Sequence, residues 1–363
     1  MAFAQTNNST INQVGGLFGA NTASVGQAGV FINSELNQLG SNNGGTVLQT
    51  GALQLSEMDQ IGFGNLASAT QSDALNYSDI DQVGRTNTAG NTQSGLGNYS
   101  SIDQTSGFFS AGGNQAYTTQ AGLGLYSEVT QDGTMNTSNV MQTGAFHESY
   151  VEQIGNGNGS YVNQSQTGTP NYSDVYQEGD DNGSSVQQGW GDNYSDVDQI
   201  GDRNWSGVIQ NFGTNTSNVL QLGNDNASDV TQFAGNNNVS DVNQAGNGNK
   251  SSVDQAWGDN DSYVGQLGLG SGAGSGNTSF VVQRRGNDNN SVVGQIGVGN
   301  ESYVYQSGAG GSVVNNSFLI QAGIGNYHSV SQTGAFGINN SAVTQIGTNS
   351  ATVVQVSGST VFP

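Results

Sequence analysis

Along nearly the whole chain, small, aliphatic and amide residues alternate with polar or aromatic ones in a fixed order. The stretch Asn193-Tyr194-Ser195-Asp196-Val197-Asp198-Gln199-Ile200-Gly201-Asp202-Arg203-Asn204 reads Ser-x-Val-x-Gln-x-Gly-x-x-Asn. Anchored on the Gln, the pattern recurs in 30 units from Gln13 to Gln355, mostly at steps of 11 residues. The residue two before the Gln is Val, Ile, Leu or Met in 27 of the 30 units, with Ala69, Asn91 and Thr118 as exceptions. The residue four before is Ser, Ala or Gly in 29 of 30, with His328 as the exception. A spacing of two is the period of a β-strand, so these three positions share one face. Tyr194, Asp196 and Asp198 then share the other. Valine suits an extended backbone, and the Gly-rich segment after each Gln reads as a turn. Each unit is predicted to be one short strand and one tight arc.

Alternate units differ. Gly stands two after the Gln in 14 of 15 odd units, with Gln104 the exception, but in only 7 of 15 even ones. Val, Ile or Leu follows the Gln directly in 10 odd units and in one even unit, at Val356. From Gln188 to Gln283 the even units carry Gln-x-x-Gly. The true repeat is therefore about 22 residues, strand-arc-strand-arc. This predicts an all-β fold, a cross-β solenoid of about 15 two-strand rungs with two different walls. At about 4.8 Å per rung the stack is about 70 Å long. The expected division is a short segment 1–8, a solenoid over 9–357 and a tail 358–363. Departures from the 11-residue step, near Phe18, Phe109, Pro170 and Gly310 and at Ser271–Gly276, are expected to bulge from the arcs.

Burying a glutamine without partners is costly. Stacked rungs remove the cost, because an amide both donates and accepts and a column of amides bonds along the axis. One expected ladder is Gln13, Gln38, Gln60, Gln82, Gln104, Gln131, Gln153, Gln177, Gln199, Gln221, Gln244, Gln266, Gln295, Gln321 and Gln345. Asn stands five after the Gln in 11 of 15 odd units, including Asn65, Asn87, Asn204 and Asn226. Those asparagines are read either as a second ladder or as turn formers. A solenoid also has two ends with unpaired backbone groups. Ile11, Gln13 and Gln27 are expected at one end and Gln345, Val353 and Gln355 at the other. Both ends share the same wall order, so one molecule can continue into the next, and contacts that do not close give filaments.

Composition narrows the reading. Hydrophobic residues make up 33% of the 363, with 57 Gly and 2 Pro. Globular domains hold about 45–50% apolar residues, so conventional cores are excluded. The kept order of small, aliphatic and amide residues excludes plain disorder. Five basic residues against 27 acidic ones leave a net charge of −22, which argues against nucleic acid and anionic membranes. There is no Cys, hence no disulfide or thiolate chemistry. No apolar run reaches the roughly 20 residues of a membrane helix, so no membrane insertion is expected, and no signal peptide is visible.

The spacing Gln-x-Gly-x-x-Asn-x-(Ser/Ala)-x-x-x-Gln, seen at Gln82 to Asn87 and Gln199 to Asn204 and onward to the next Gln, resembles the curlin repeat of bacterial curli over about residues 9–357. The resemblance implies a subunit of extracellular functional amyloid on the surface of a Gram-negative-type bacterium, in biofilm matrix and adhesion. It also implies partners: the chain itself as a homopolymer, a nucleator subunit, and an outer-membrane secretion pore with accessory chaperones.

Other chemistry is thin. With only His147 and His328 and no Cys, a zinc site is not expected. No Ser–His–acid set is brought together by the repeat. The Gly-rich arcs lack the Lys and helix of a phosphate loop. Asp180-Asp181-Asn182 lacks the glycine–aspartate nonapeptide of calcium β-rolls. No catalytic residue, cofactor or metal is therefore assigned, and the chain is not read as an enzyme. Asn-x-Ser sequons abound as a by-product of the repeat. Asp59, Asp81 and Asp103 take the same outward position in successive rungs, where like charges should raise each other's pKa. The aliphatics after Gln (Ile61, Val83, Ile154, Ile200, Leu222 and Ile296) are expected to fill the arc corners, the alternative being an outward stripe for fibre bundling. The competing functional class is a monomeric β-solenoid binding module, adhesive or ice-binding. Mixed Asp, Tyr, Asn and Thr at the outward positions argue against a flat threonine wall.

Overall fold

The computed structural model defines residues 6–108, 112–270, 275–308, 313–335 and 337–357. Among these residues every regular element is a β-strand. The chain forms two compact units, Met1–Asp181 and Asn182–Pro363, and each is a parallel β-solenoid. Together they make about 15 turns of about 22 residues. Within each unit the strands pair in parallel, mostly with the strand two further on, and the Gln anchors fall in register. Gln38 pairs with Gln60 and Gln60 with Gln82 in the first unit, and Gln199 with Gln221 in the second.

The inward triplet forms the core. Leu36, Met58, Ile80 and Ile102 stack on one wall of the first unit and are fully buried, as are Val197, Val208 and Val230 in the second. Ser56, Ser195, Gln60 and Gln199 are buried beside them. The three exceptions to the aliphatic rule, Ala69, Asn91 and Thr118, occupy successive places in a single column. Asn91 there donates to Ser78 Oγ at 2.8 Å and accepts from Ser100 Oγ at 2.9 Å, and Thr118 lies 2.6 Å from Ser100 Oγ. Polar residues entered the core as a mutually satisfied group, which is the condition for burying them cheaply.

The arcs differ from the expectation. The strand does not end at the Gln. Leu55–Phe63 runs through Gln60 and Gly62, and pairing continues to three residues past the anchor. The corner is two residues, Gly64-Asn65 in this rung, with φ of 69° at Gly64. Met135 and Phe146 hold the equivalent left-handed position at 58° each, so glycine is not needed there. It is needed at Gly62, where φ is 127° and an added Cβ would lie 1.9 Å from the Gly84 carbonyl oxygen. That contact between stacked rungs explains the Gln-x-Gly spacing. In the second unit Lys250–Gly268 runs as one paired segment through both strands of a rung and the arc between them, with a register shift at Gly258/Asp259.

Two of the expected bulges are on view. Gly16 and Gly19 form an isolated antiparallel bridge around exposed Leu17 and Phe18, and residues 167–170 make an exposed excursion. The bulges at Phe109 and Gly310, residues 271–274 and the tail 358–363 lie outside the described residues.

Candidate functional site

The glutamines form two axial ladders in each unit. In the odd column of the first unit Gln13 Nε2 donates to Gln38 Oε1 at 2.6 Å, Gln38 to Gln60 at 2.7 Å and Gln60 to Gln82 at 2.8 Å. The series continues through Gln104, Gln131 and Gln153 to Gln177. In the second unit it runs from Gln199 through Gln221, Gln244, Gln266, Gln295 and Gln321 to Gln345. The even column behaves alike, from Gln27 to Gln164 and from Gln188 to Gln355. The second Nε2 hydrogen goes to the backbone, as from Gln60 to the Gly44 carbonyl at 3.0 Å. In every ladder bond the lower-numbered residue donates. The amides therefore share one direction, and each series begins on an accepting oxygen and ends on a donating nitrogen.

The asparagines divide. Asn204 and Asn226 belong to a side-chain ladder, with Asn204 Nδ2 to Asn182 Oδ1 at 3.1 Å and Asn226 Nδ2 to Asn204 Oδ1 at 3.2 Å. Asn65 and Asn87 do not. Asn65 Oδ1 accepts from the Asn87 backbone N–H at 3.0 Å, and Asn65 Nδ2 donates to the carbonyls of Ile61 and Gly84. They close the corner and tie it to the next rung's backbone, so for these two the side-chain ladder is corrected to a side-chain-to-backbone chain. A further ladder went unread in the sequence. Asn215, Asn238, Asn260, Asn289, Asn315 and Asn339 each donate to the asparagine one rung before, beginning at Asn193, at 2.7 to 2.8 Å. Asn five after Gln188, Gln210 and Gln255 was the available signal. Longer arcs elsewhere place the asparagine six to nine residues on and hide the column.

The strands at the extremes expose this core. Among the described residues, Asn8–Gly15 and Thr22–Val30 each pair along one edge only, as do Gly337–Gly347 and Ser350–Ser357. Ile11 occupies a core position but is 44% exposed, against 0% for Leu36 directly over it. Gln13 is exposed, and Gln27, Val353 and Gln355 are half-buried. Gln345 is buried. The first rung thus offers amide oxygens and the last offers amide N–H groups, over apolar side chains.

The outward faces carry charge and rings. Asp59, Asp81 and Asp103 stand in register, beside Glu57 and Asp79. Loss of hydration, then the charges of Asp79, Asp59 and Asp103, push the Asp81 carboxyl up to about 6. Loss of hydration likewise raises Asp79, helped by Glu57, and Asp103, helped by Asp132. Like-charge repulsion was the expected cause, and in each case it comes second to dehydration. Tyr77, Tyr99 and Tyr126 stack with ring centroids 5.1 and 4.8 Å apart, the rung spacing itself. The aliphatics after Gln face outward: Ile61 is 43% exposed, Ile296 46%, and Val83 and Ile154 are half-buried. The corner-filling expectation is overturned because strand pairing, and with it the two-residue alternation, continues past the Gln.

Both histidines are buried in the stack. His147 takes the corner amide's place, with Nδ1 accepting from the Asn171 N–H at 3.0 Å and Nε2–H directed to the Gln166 carbonyl at 3.1 Å. Burial lowers its pKa and that of His328. Asp180 Oδ1 accepts from the Asn156 backbone N–H at 2.9 Å. Among the described residues no three His, Asp or Glu gather as a metal site. No protein-family model matches the chain, and no curated protein matches it either.

Proposed function

We propose that the chain is the structural subunit of an extracellular amyloid fibre of the curlin type, growing by head-to-tail stacking of rungs. The supporting observation is the complementary polarity of the two extreme rungs. Oε1 of Gln13 and Gln27 ends the ladders at one, and Nε2 of Gln345 and Gln355 ends them at the other, beside exposed Ile11 and half-buried Val353. Docking the last rung of one copy on the first rung of another extends both ladders in their existing direction, pairs the free strand edges and covers the apolar cross-section. The contact does not close on itself, so it propagates. Following the curlin resemblance, the same reading supplies a nucleator subunit, an outer-membrane pore with accessory chaperones, and a cell-surface location in biofilm matrix.

A monomeric adhesive or ice-binding module is the second reading. It is favoured by one column of exposed hydroxyls, Thr70, Thr92 and Thr119 in successive rungs, although Leu48 and Met141 bound it in the same column. Electron microscopy and thioflavin binding of the purified protein in neutral buffer separate the two. Fibres are expected, and lasting monomers would leave the second reading. Gln13→Leu and Gln345→Leu each remove one ladder end and are expected to slow elongation on parent seeds by roughly tenfold, about 1.4 kcal/mol at the joint. Elongation at the parent rate would overturn the stacking contact.

A further inference from the structure

On the odd wall of the second unit, the outward residues of the rungs from Gln221 to Gln345 form a largely apolar face, with Leu220, Leu222, Leu267, Ile296, Phe318 and Ile320 among them. The three outward columns, at three and one before the Gln and one after it, hold eighteen residues, of which only Asp241 is charged. In the first unit the corresponding columns hold Glu57, Asp59, Asp79, Asp81 and Asp103. Within this face lies a shallow groove of about 440 Å³, lined by Leu220, Leu222, Tyr263, Leu267, Ile296 and Ile320 and floored by Gly265 and Gly294. Tyr263, Leu267 and Ile296 are exposed.

The two floor glycines explain the groove. Neither is among the residues with positive φ, so neither is required by backbone conformation. A Cβ on Gly294 would meet nothing closer than 3.8 Å, so neither is it required by crowding. What glycine does at 294 is leave a gap one side chain deep, with Ile320 standing next to it in the same column.

We propose that this face is the lateral contact between fibres, occupied by the same face of a second copy of the chain. Charge selects the occupant. In a chain of net charge −22, most self-contacts set carboxylates against carboxylates, and this face can meet itself without doing so. In a two-fold arrangement Ile320 of each copy seats over Gly294 of the other, a dry interdigitated contact between two sheets. Area sets when it forms. Six rungs at about 4.8 Å and four residues at about 3.3 Å give a face of about 400 Å². That is about half of the roughly 800 Å² per partner in a stable pair, so free chains do not dimerise through it. A fibre presents the face once per subunit, and the contacts add. The inference rests on the fibre reading above.

The test is Gly294→Asp, with Leu267→Glu as a second variant. Asp at 294 suits the repeat, because Asp59, Asp81, Asp103 and Asp198 hold the equivalent place in other rungs. Parent fibres are expected to appear paired or bundled by negative-stain electron microscopy, and to sediment at low speed. Both variants are expected to polymerise at the parent's thioflavin rate as single fibres, with the bundled fraction down at least about fivefold, as loss of a repeated contact requires. Single parent fibres, or bundling unchanged in both variants, overturn the lateral contact and leave head-to-tail stacking standing. A parent that never polymerises overturns both.

Discussion

A serine stands four residues before most of the glutamines, and its hydroxyl is an oddity of the core. Ser56, Ser127 and Ser262 are buried with no hydrogen-bond partner for Oγ. The reason is visible at one place where it changes. Asn91, two before Gln93, bonds Ser78 and Ser100 across the core, and that position carries valine in most rungs. Valine offers Ser56, Ser127 and Ser262 no such partner. An unsatisfied buried hydroxyl costs more than a methyl of similar size. Ser262→Ala is therefore expected to leave stability unchanged or raise it by up to about 1 kcal/mol in urea unfolding. A loss above about 2 kcal/mol would mean that the hydroxyl has a partner in solution. What the side chain contributes is small volume, the property that the Ala and Gly at this position in other units share.

A rung holds its neighbours through more than strand pairing. Gln131 accepts from Gln104 at 2.8 Å and donates to Gln153 at 2.7 Å and to the Gln115 carbonyl at 3.0 Å. Gln131→Leu strands two buried amides and a carbonyl, and is expected to cost about 2–4 kcal/mol by chemical denaturation. Gln355→Leu, at the end of its column, strands Gln332 and the carbonyl of exposed Asn340, which water can reach, and about 1 kcal/mol is expected. Equal losses at the two sites would show that the ladders carry no energy of their own. This element was legible from sequence because inward positions in a stack are constrained three ways: by size at Ser, by shape at Val, and by self-pairing at Gln. The corner was not. Met135 and Phe146 adopt the left-handed conformation without the glycine that would have announced it, because strand pairing on both sides of the corner fixes the backbone. Nor could sequence say that Asn65 bonds backbone while Asn226 bonds asparagine, since either use satisfies the same amide.

For the chain as a whole, charge opposes what shape promotes. Twenty-seven acidic residues face outward or crowd the arcs of a fold that stacks like on like. Asp81, held near 6, is the clearest instance. A carboxyl raised in the folded state binds its proton there before the unfolded chain does. Stability thus rises as pH falls through 6 toward the ordinary carboxylate value, and is lowest above 6. His147 and His328 work the other way: burial keeps them neutral, so their contribution falls away as pH drops below 6.5. Comparing Asp81→Asn with the parent at each pH removes the histidines. The variant is expected to be more stable at pH 7.5 by about 1 kcal/mol or less, because the carboxylate is exposed and screened, with the gap closing by about pH 4.5. A gap that is constant with pH would show that Asp81 titrates normally. If subunits stack, the same carboxylates should make seeded growth faster at pH 5 than at pH 8.

The inward placement of the corner asparagine and of the serine two residues later has a cellular consequence. Asn98 and Ser100 are both buried, with Tyr99 between them turned outward, and the triplet is a glycosylation acceptor that the repeat reproduces in many rungs. In a host that attaches sugars to nascent chains, a glycan on Asn98 would occupy the place where the next rung must sit. Production in a eukaryotic secretory pathway would therefore yield decorated chains unable to coil, whereas a cytosol or a bacterium without that machinery leaves the asparagines free to turn inward.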